Sequence, residues 1–467
     1  MIRRRTLLRV LLALAAVAAL VAGWALRGPS GPSYPKVWDS RVLDIVHFVE
    51  KERGLTFKHP VNVSFLDDKE FVKKVKEPPP TAKDRKDAQE ALEELRAVGL
   101  VTGKPDLFAA ANSLVSSDVV GLYVPKDKTL FVRGTTLTSY VKVTAAHELT
   151  HALQDQYFNL DALSDKAPGG DDSAVTALIE GDAVRIEHVY LKQLSHTDQQ
   201  AYDEAQTKLQ QSSESDTADV PQVLKDLLSM PYAFGPVYLD ALVAAGGNEE
   251  VNRAFRKPPT VDAQILDPDT YPVGWKPASV GHLSLPPGSK AFDEEQPFGQ
   301  VWLFDVLGSR LGYTQAWGAV QGWQGDVARP YRVAGKTCLA VDVAMADEQG
   351  ATRLSTALRH WARYGESVNA LGRKVSLRAC DPGAKAVLQS QPAPPAFAVL
   401  SGRAELIDLL MSDSHVSFAR SQCLSDTVLQ DVGPAAFAQA QESQTPASEA
   451  RLQSAFAAAV GACQSVG

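Results

Sequence analysis

From Ser139 to Phe158 the chain runs twenty residues without proline or glycine, and His147-Glu148-Leu149-Thr150-His151 lies near the middle of that run. An uninterrupted stretch of this length predicts an α-helix. Residues four apart on a helix lie about 40° apart around its axis, so His147 and His151 present their imidazoles to one point. Glu148 is about 100° round from His147, too far to ligate an ion there easily but well placed beside it. Two imidazoles and an oxygen ligand suit zinc. Glu148 is then the general base and acid, taking a proton from a metal-bound water of lowered pKa.

A catalytic zinc needs a third protein ligand and an open position. The metzincin continuation is absent, because Gln154 and Tyr157 stand where that pattern has Gly and His. The better candidate is Glu180, within Ala177-Leu178-Ile179-Glu180-Gly181-Asp182-Ala183 on a second expected helix, Ser173 to Gln193. An acid flanked by Ala177, Leu178, Ile179 and Ala183 is headed for burial, which is costly without a partner. An antiparallel neighbour helix brings it to the ion after the loop 159–172. Glu187, two turns on and near the same face, His188 and an aspartate of the loop are the other candidates.

His147-Glu148-Leu149-Thr150-His151 with the downstream Glu180-Gly181-Asp182-Ala183 resembles the gluzincin branch of the zincin metallopeptidases, the thermolysin-like arrangement. The stretch from about 40 to 330 is similar to secreted or anchored actinobacterial neutral zinc metallopeptidases. The resemblance is specific at the zinc helix; 28 residues separate His151 from Glu180, a longer gap than in thermolysin-like chains. It implies a zincin-like α+β catalytic domain, a small mixed sheet with active-site helices. It also implies His147, His151 and Glu180 as ligands of Zn2+, Glu148 as the catalytic acid/base, and a peptide or protein as substrate. Gluzincins steady the oxyanion of the tetrahedral intermediate with a Tyr or His, and Tyr232 is the residue expected there.

Placement outside the cytoplasm follows from the N-terminus. Arg3-Arg4-Arg5 and Arg9 precede an uncharged apolar run from Val10 to Leu26, a signal-anchor or signal-peptide pattern. Seventeen helical residues reach roughly 25 Å, and Leu7 and Leu8 lengthen the span if Arg9 snorkels. The expected partner of this segment is a membrane, and the body is expected outside it. With 47 Lys plus Arg against 55 Asp plus Glu the net charge is −8, which offers no basic field to hold nucleic acid.

The expected organisation is a leader (1–26), a linker (27–36), the zincin-like domain (37–328), a small α+β unit (329–388), a Pro-rich linker (389–398) and a helical unit (399–467). Strands are expected at 61–66, 119–124 and 129–132, the last two as a hairpin, and at 337–344 and 374–378. Helices are expected at 223–228 and 234–245, the second ending at Gly246-Gly247, whereas 196–220 reads as a helix end and a mobile loop. Four cysteines in an exported chain predict disulfides. Of three connectivities, Cys338–Cys380 with Cys423–Cys463 is preferred because the Pro-rich linker separates those pairs. His47, His59, His196, His282, His360 and His415 are isolated and read as surface or core residues. Two rivals to a peptidase are a non-catalytic cell-envelope binding protein on the same scaffold and a zinc hydrolase of a non-peptide substrate.

Overall fold

The computed structural model describes residues 34–76, 79–165, 173–271, 273–386, 392–414, 416–442 and 445–466. The expected leader, most of the 27–36 linker, part of the 389–398 linker, Asp171, Asp172 and His415 lie outside the described residues. The chain folds as two units, the first from residues 34–88 and 105–258, the second from 89–104 and 259–466.

The first unit opens with α1 (Leu43–Arg53), stopped by Gly54 in the left-handed region, and β1 (Asn62–Leu66). Helix α2 (Asp68–Val75) starts where the Asp67 carboxylate accepts the Glu70 amide, and α3 (Ala82–Ala97) begins here before its later residues join the second unit. Helix α4 (Leu107–Asp118) precedes β2 (Gly121–Val124) and β3 (Thr129–Arg133), the expected hairpin. Strand β1 pairs parallel with β3, giving a mixed three-stranded sheet in the order β1-β3-β2 with β2 at one margin.

Helix α5 (Ser139–Phe158) has the bounds its sequence predicts. The Thr138 hydroxyl caps it by accepting the Val141 amide, and Asn159 ends it with a positive φ. It is buried on every side from Ala145 to Asp155, sharing a core with Val46 and Val49 of α1 and with Leu130 and Val132 of β3. After α6 (Leu160–Asp165) comes α7 (Ser173–Lys192).

Two expectations are corrected here. Residues 196–216 form a complete helix, α8 (His196–Asp216), started by the Ser195 hydroxyl on the Asp198 amide. The run lacks an apolar face, yet its Gln, Glu, Ala and Lys residues are good helix formers, and few side chains beyond Tyr202 and Ser213 are buried. The two short helices expected near 223–245 are one element, α9 (Gln222–Arg256), which continues through Pro231 and Pro236 and breaks at Gly246-Gly247. Gly247 takes φ 67° there, a conformation open to glycine. Among the described residues α9 alone is long and apolar enough to cross a membrane, and 56% of its apolar window is buried within the protein.

The second unit carries α10 (Ala263–Leu266), β4 (Lys290–Ala291), α11 (Gln300–Leu311) and α12 (Tyr313–Val320). Next come β5 (Trp323–Val333), β6 (Lys336–Met345), α13 (Glu348–Trp361), β7 (Ser367–Leu371) and β8 (Lys374–Cys380). The strands make one antiparallel sheet in the order β4-β5-β6-β8-β7. Residue 328, the expected end of the zincin-like domain, lies inside β5, so the small sheet starts earlier in the chain than its expected first strand. Four helices follow, α14 (Ala396–Ser414), α15 (Phe418–Val432), α16 (Pro434–Glu442) and α17 (Pro446–Ala462). Both preferred disulfides form: Cys338–Cys380 joins register partners on β6 and β8, and Cys423–Cys463 joins α15 to the end of α17. The chain is α+β, as expected.

Candidate metal centre

Helices α5 and α7 pack together and bring His147, His151 and Glu180 to one point. Ligand atoms of all three lie within 4.8 Å of one another, and each side chain is largely buried. The Glu180 Oε2 is 3.2 Å from His147 Nε2 and 3.3 Å from His151 Nε2, and the two Nε2 atoms are 3.0 Å apart. Among the described residues this is the one His, Cys, Asp or Glu group of that kind. It can hold a metal ion.

The surrounding hydrogen bonds decide which ring nitrogens face that point. His147 Nδ1 lies 2.9 Å from Glu187 Oε2. A carboxylate accepts, so Nδ1 carries a proton and Nε2 is the nitrogen that faces Glu180. His151 is oriented through Gln154. The Gln154 Nε2 donates to the Ile179 carbonyl at 3.1 Å and to Asp182 Oδ2 at 2.9 Å. Both partners accept, so its Oε1, 3.0 Å from His151 Nδ1, must accept in turn. Each imidazole therefore carries a proton on Nδ1 and turns Nε2 to Glu180. That is the donor set a metal needs, with its supporting acceptors in place.

Asp182 is fully buried and anchors the web: Arg53 Nε is 2.8 Å from its Oδ2, and Arg185 Nη2 is 3.0 Å from its Oδ1. Burial opposes ionisation, but the charges of Arg53 and Arg185 outweigh it and hold the Asp182 pKa below its usual value. Asn248, directly after the α9 break, accepts from both arginines and donates to the Glu52 carbonyl.

Burial likewise opposes the charges at the centre and is outweighed. It pulls the histidine pKa values down, but hydrogen bonds to the Glu180 and Glu187 carboxylates raise His147 well above its ordinary value, and the Glu180 charge raises His151. Glu180 is shifted down by His151 and His147 against the cost of burial.

Glu148 is anchored to the sheet. Its Oε2 accepts the Tyr123 amide of β2 at 2.7 Å. Strand β2 comes this close because Gly121 has no side chain: a Cβ there would lie 2.9 Å from Thr144 Cγ2 and 3.2 Å from Glu148 Cγ. The third wall is α9. A Cβ on Gly181 would lie 2.4 Å from the Gly235 carbonyl carbon, so the two helices touch backbone to backbone one residue past Glu180. This contact places Tyr232, one turn before Gly235, with its ring 6.4 Å from that of His147 and nearly parallel to it. The Tyr232 side chain is 44% exposed. Loss of hydration, then the Glu180 and Glu148 charges and a hydrogen bond to Glu180, raise its pKa well above the ordinary phenol value.

Of the residues the sequence nominated, His147, His151 and Glu180 converge, Glu148 flanks them, and Tyr232 overlooks them. Glu187 supports His147 from behind, and His188 is exposed. The sequence reading missed Gln154, Asp182 and the Tyr123 amide. Gln154 had a signal, one turn after His151 on the same helix; a backbone amide has none. Comparison with protein-family models, curated proteins and solved structures finds no match to this chain.

Proposed function

We propose that the chain is an extracytoplasmic zinc-dependent peptidase of gluzincin type. The observation that carries this reading is the pairing of two Nε2-presenting histidines with Glu180, while Glu148 stands beside them unclaimed by the triad. A bound zinc supplies Lewis acidity, making water a nucleophile near neutral pH and polarising a carbonyl. The chain's own residues do the rest. With the ion bound, His147 and His151 would ligate through Nε2, because Glu187 and Gln154 hold a proton on each Nδ1. Glu180 adds the negative charge that offsets part of the ion's own.

Glu148 holds the proton removed from the attacking water and delivers it to the departing amine. Its bond from the Tyr123 amide fixes one carboxylate oxygen against β2. The Tyr232 hydroxyl, kept protonated, donates to the oxygen that becomes negative when the carbonyl is attacked. A donor of this kind contributes about 3 kcal/mol to such a step.

The test is metal content and hydrolysis of a peptide library by the chain from residue 36 onward, beside His147→Ala, Glu180→Ala and Glu148→Gln. About one zinc per chain, lost in the first two variants and kept in the third, with cleavage lost in all three, supports the proposal. Zinc without cleavage, even across the library, makes the protein a binding module on this scaffold. Cleavage of esters or amides but never peptides makes it a different hydrolase. A wild-type chain that takes up no zinc after resupply overturns the metal reading itself.

A further inference from the structure

The five-stranded sheet of the second unit treats its two margins differently. At one, β5 is covered by β4, paired at Lys290↔Arg332 and Ala291↔Tyr331, and by the bridge Gln296↔Ala328. At the other, among the described residues, β7 pairs with β8 alone and its far side meets no further strand. Edge strands are normally blunted by a charge, a proline or a bulge, because their free N–H and C=O groups template another strand. The β7 sequence Ser367-Val368-Asn369-Ala370-Leu371 has no charge and no proline, and its register with β8 is unbroken. Four of the five residues are exposed, and Leu371 is 86% exposed.

The charges around this edge are one-sided. Arg363 lies four residues before the strand and Arg373 two after it, with Arg359 nearby at the end of α13. Arg363 donates to the His360 and Ala362 carbonyls, Arg373 to the Ala346 carbonyl, and Arg359 to the Ser355 hydroxyl. Among the described residues none of the three pairs with a carboxylate. Glu366, just before the strand in sequence, accepts the Arg363 and Tyr364 amides and faces Arg310. The chain as a whole has a net charge of −8, so this local excess of cations runs against its overall sign.

We infer that β7 is a docking strand for an extended, acidic polypeptide segment, which adds to the sheet as a sixth strand. Main-chain hydrogen bonds supply the pairing, and carboxylates at either end of the segment meet Arg363 and Arg373. A second copy of this chain fits poorly. Antiparallel pairing of β7 with itself sets Arg373 of each copy beside Arg363 of the other, and like charges across a pair are destabilising. The inference does not depend on the metal centre, which belongs to the first unit.

The test uses the full chain carrying Glu148→Gln, so that a peptide probe is not consumed. Binding of a fluorescein-labelled, end-capped Glu-Val-Glu-Val-Glu-Val-Glu peptide is read by anisotropy. Two controls are the same peptide with Pro at its centre and a Lys-Val-Lys-Val-Lys-Val-Lys peptide. Saturable binding of the first alone is expected, weakened about tenfold or more by Arg363→Glu with Arg373→Glu. Adjacent residues of an edge strand turn their N–H groups to opposite sides. One of Asn369→Pro and Ala370→Pro therefore removes only an outward donor, and that variant should lose binding while keeping the wild-type melting curve. Equal binding of the proline-interrupted or basic peptide overturns the inference. So does binding that survives the double arginine reversal, or no binding of the acidic peptide at all. A concentration-dependent dimer lost in both proline variants also overturns it, in favour of self-pairing.

Discussion

Tyr123 holds Glu148 through its backbone and Asp155 through its side chain. Its amide donates to Glu148 Oε2 at 2.7 Å and its hydroxyl to Asp155 Oδ2 at 2.8 Å. The two acids lie seven residues apart on α5, two turns of one helix, so a single strand residue fixes the distance between β2 and the face of α5 that carries Glu148. Lys128 also donates to Asp155 and keeps that carboxylate paired.

Tyr123→Phe removes the side-chain bond and leaves the amide. Asp155 retains Lys128, so the expected loss is about 1 kcal/mol of stability, measured by urea unfolding. Peptide hydrolysis should persist at a reduced rate, with metal content unchanged. Loss of zinc in this variant would sink the idea that Tyr123 acts on Glu148 and not on the ligands.

The Gly181–Gly235 contact carries a sharper expectation. Alanine at 181 puts a methyl 2.4 Å from backbone that cannot swing aside, so α9 must move away from α7. Overpacking of this kind costs about 1–3 kcal/mol. Because Glu180 and Tyr232 sit on the two sides of the contact, zinc affinity and hydrolysis should both fall. Gly318→Ala on α12 meets nothing within 4 Å and is the control, expected to leave melting temperature and activity essentially as they are.

Much of the first unit is legible from sequence because its elements announce themselves locally. Helix α5 is legible because no proline or glycine interrupts Ser139 to Phe158, and the facing of His147 and His151 follows from their spacing alone. Glu180 is legible because an acid among Ala177, Leu178 and Ile179 needs a partner. What stays hidden depends on tertiary context. Helix α8 has no apolar stripe to mark it, and α9 keeps its two prolines in place by packing on α7 through Gly235. The support of His151 by Gln154 requires knowing that the Ile179 carbonyl turns towards Gln154, which no local pattern encodes.

In the second unit a buried acid sets a pH dependence. Glu94 is 4% exposed, and its Oε2 has no hydrogen-bond partner. Burial first, then the charges of Asp293, Glu90 and Glu93, raise its pKa well above the carboxylate range, with Arg332 opposing. The folded chain thus keeps a proton that the unfolded chain releases above about pH 4. The native state binds more protons there, so this group's contribution is fully present at lower pH and declines as pH rises towards the raised value. Glu94→Gln should stabilise the protein by about 1 kcal/mol near pH 8 and change little near pH 4. Chemical denaturation at the two pH values measures it; an equal gain at both would remove the proton from the explanation.

Gln154 separates two roles that a single substitution usually confounds. Gln154→Ala takes away the acceptor for His151 Nδ1 and leaves Asp182 with its two arginines. The ring is then free to turn, and zinc affinity should fall about 10- to 100-fold, read by competition with a chromophoric chelator. Gln154→Glu keeps an acceptor for His151 but destroys both donations, placing a second carboxylate against the buried Asp182 and an acceptor against the Ile179 carbonyl. It should therefore bind zinc better than the alanine variant when folded, yet be the less stable of the two. The reverse order in either measurement would mean that Gln154 serves the packing of α5 on α7, and that His151 takes its orientation from elsewhere.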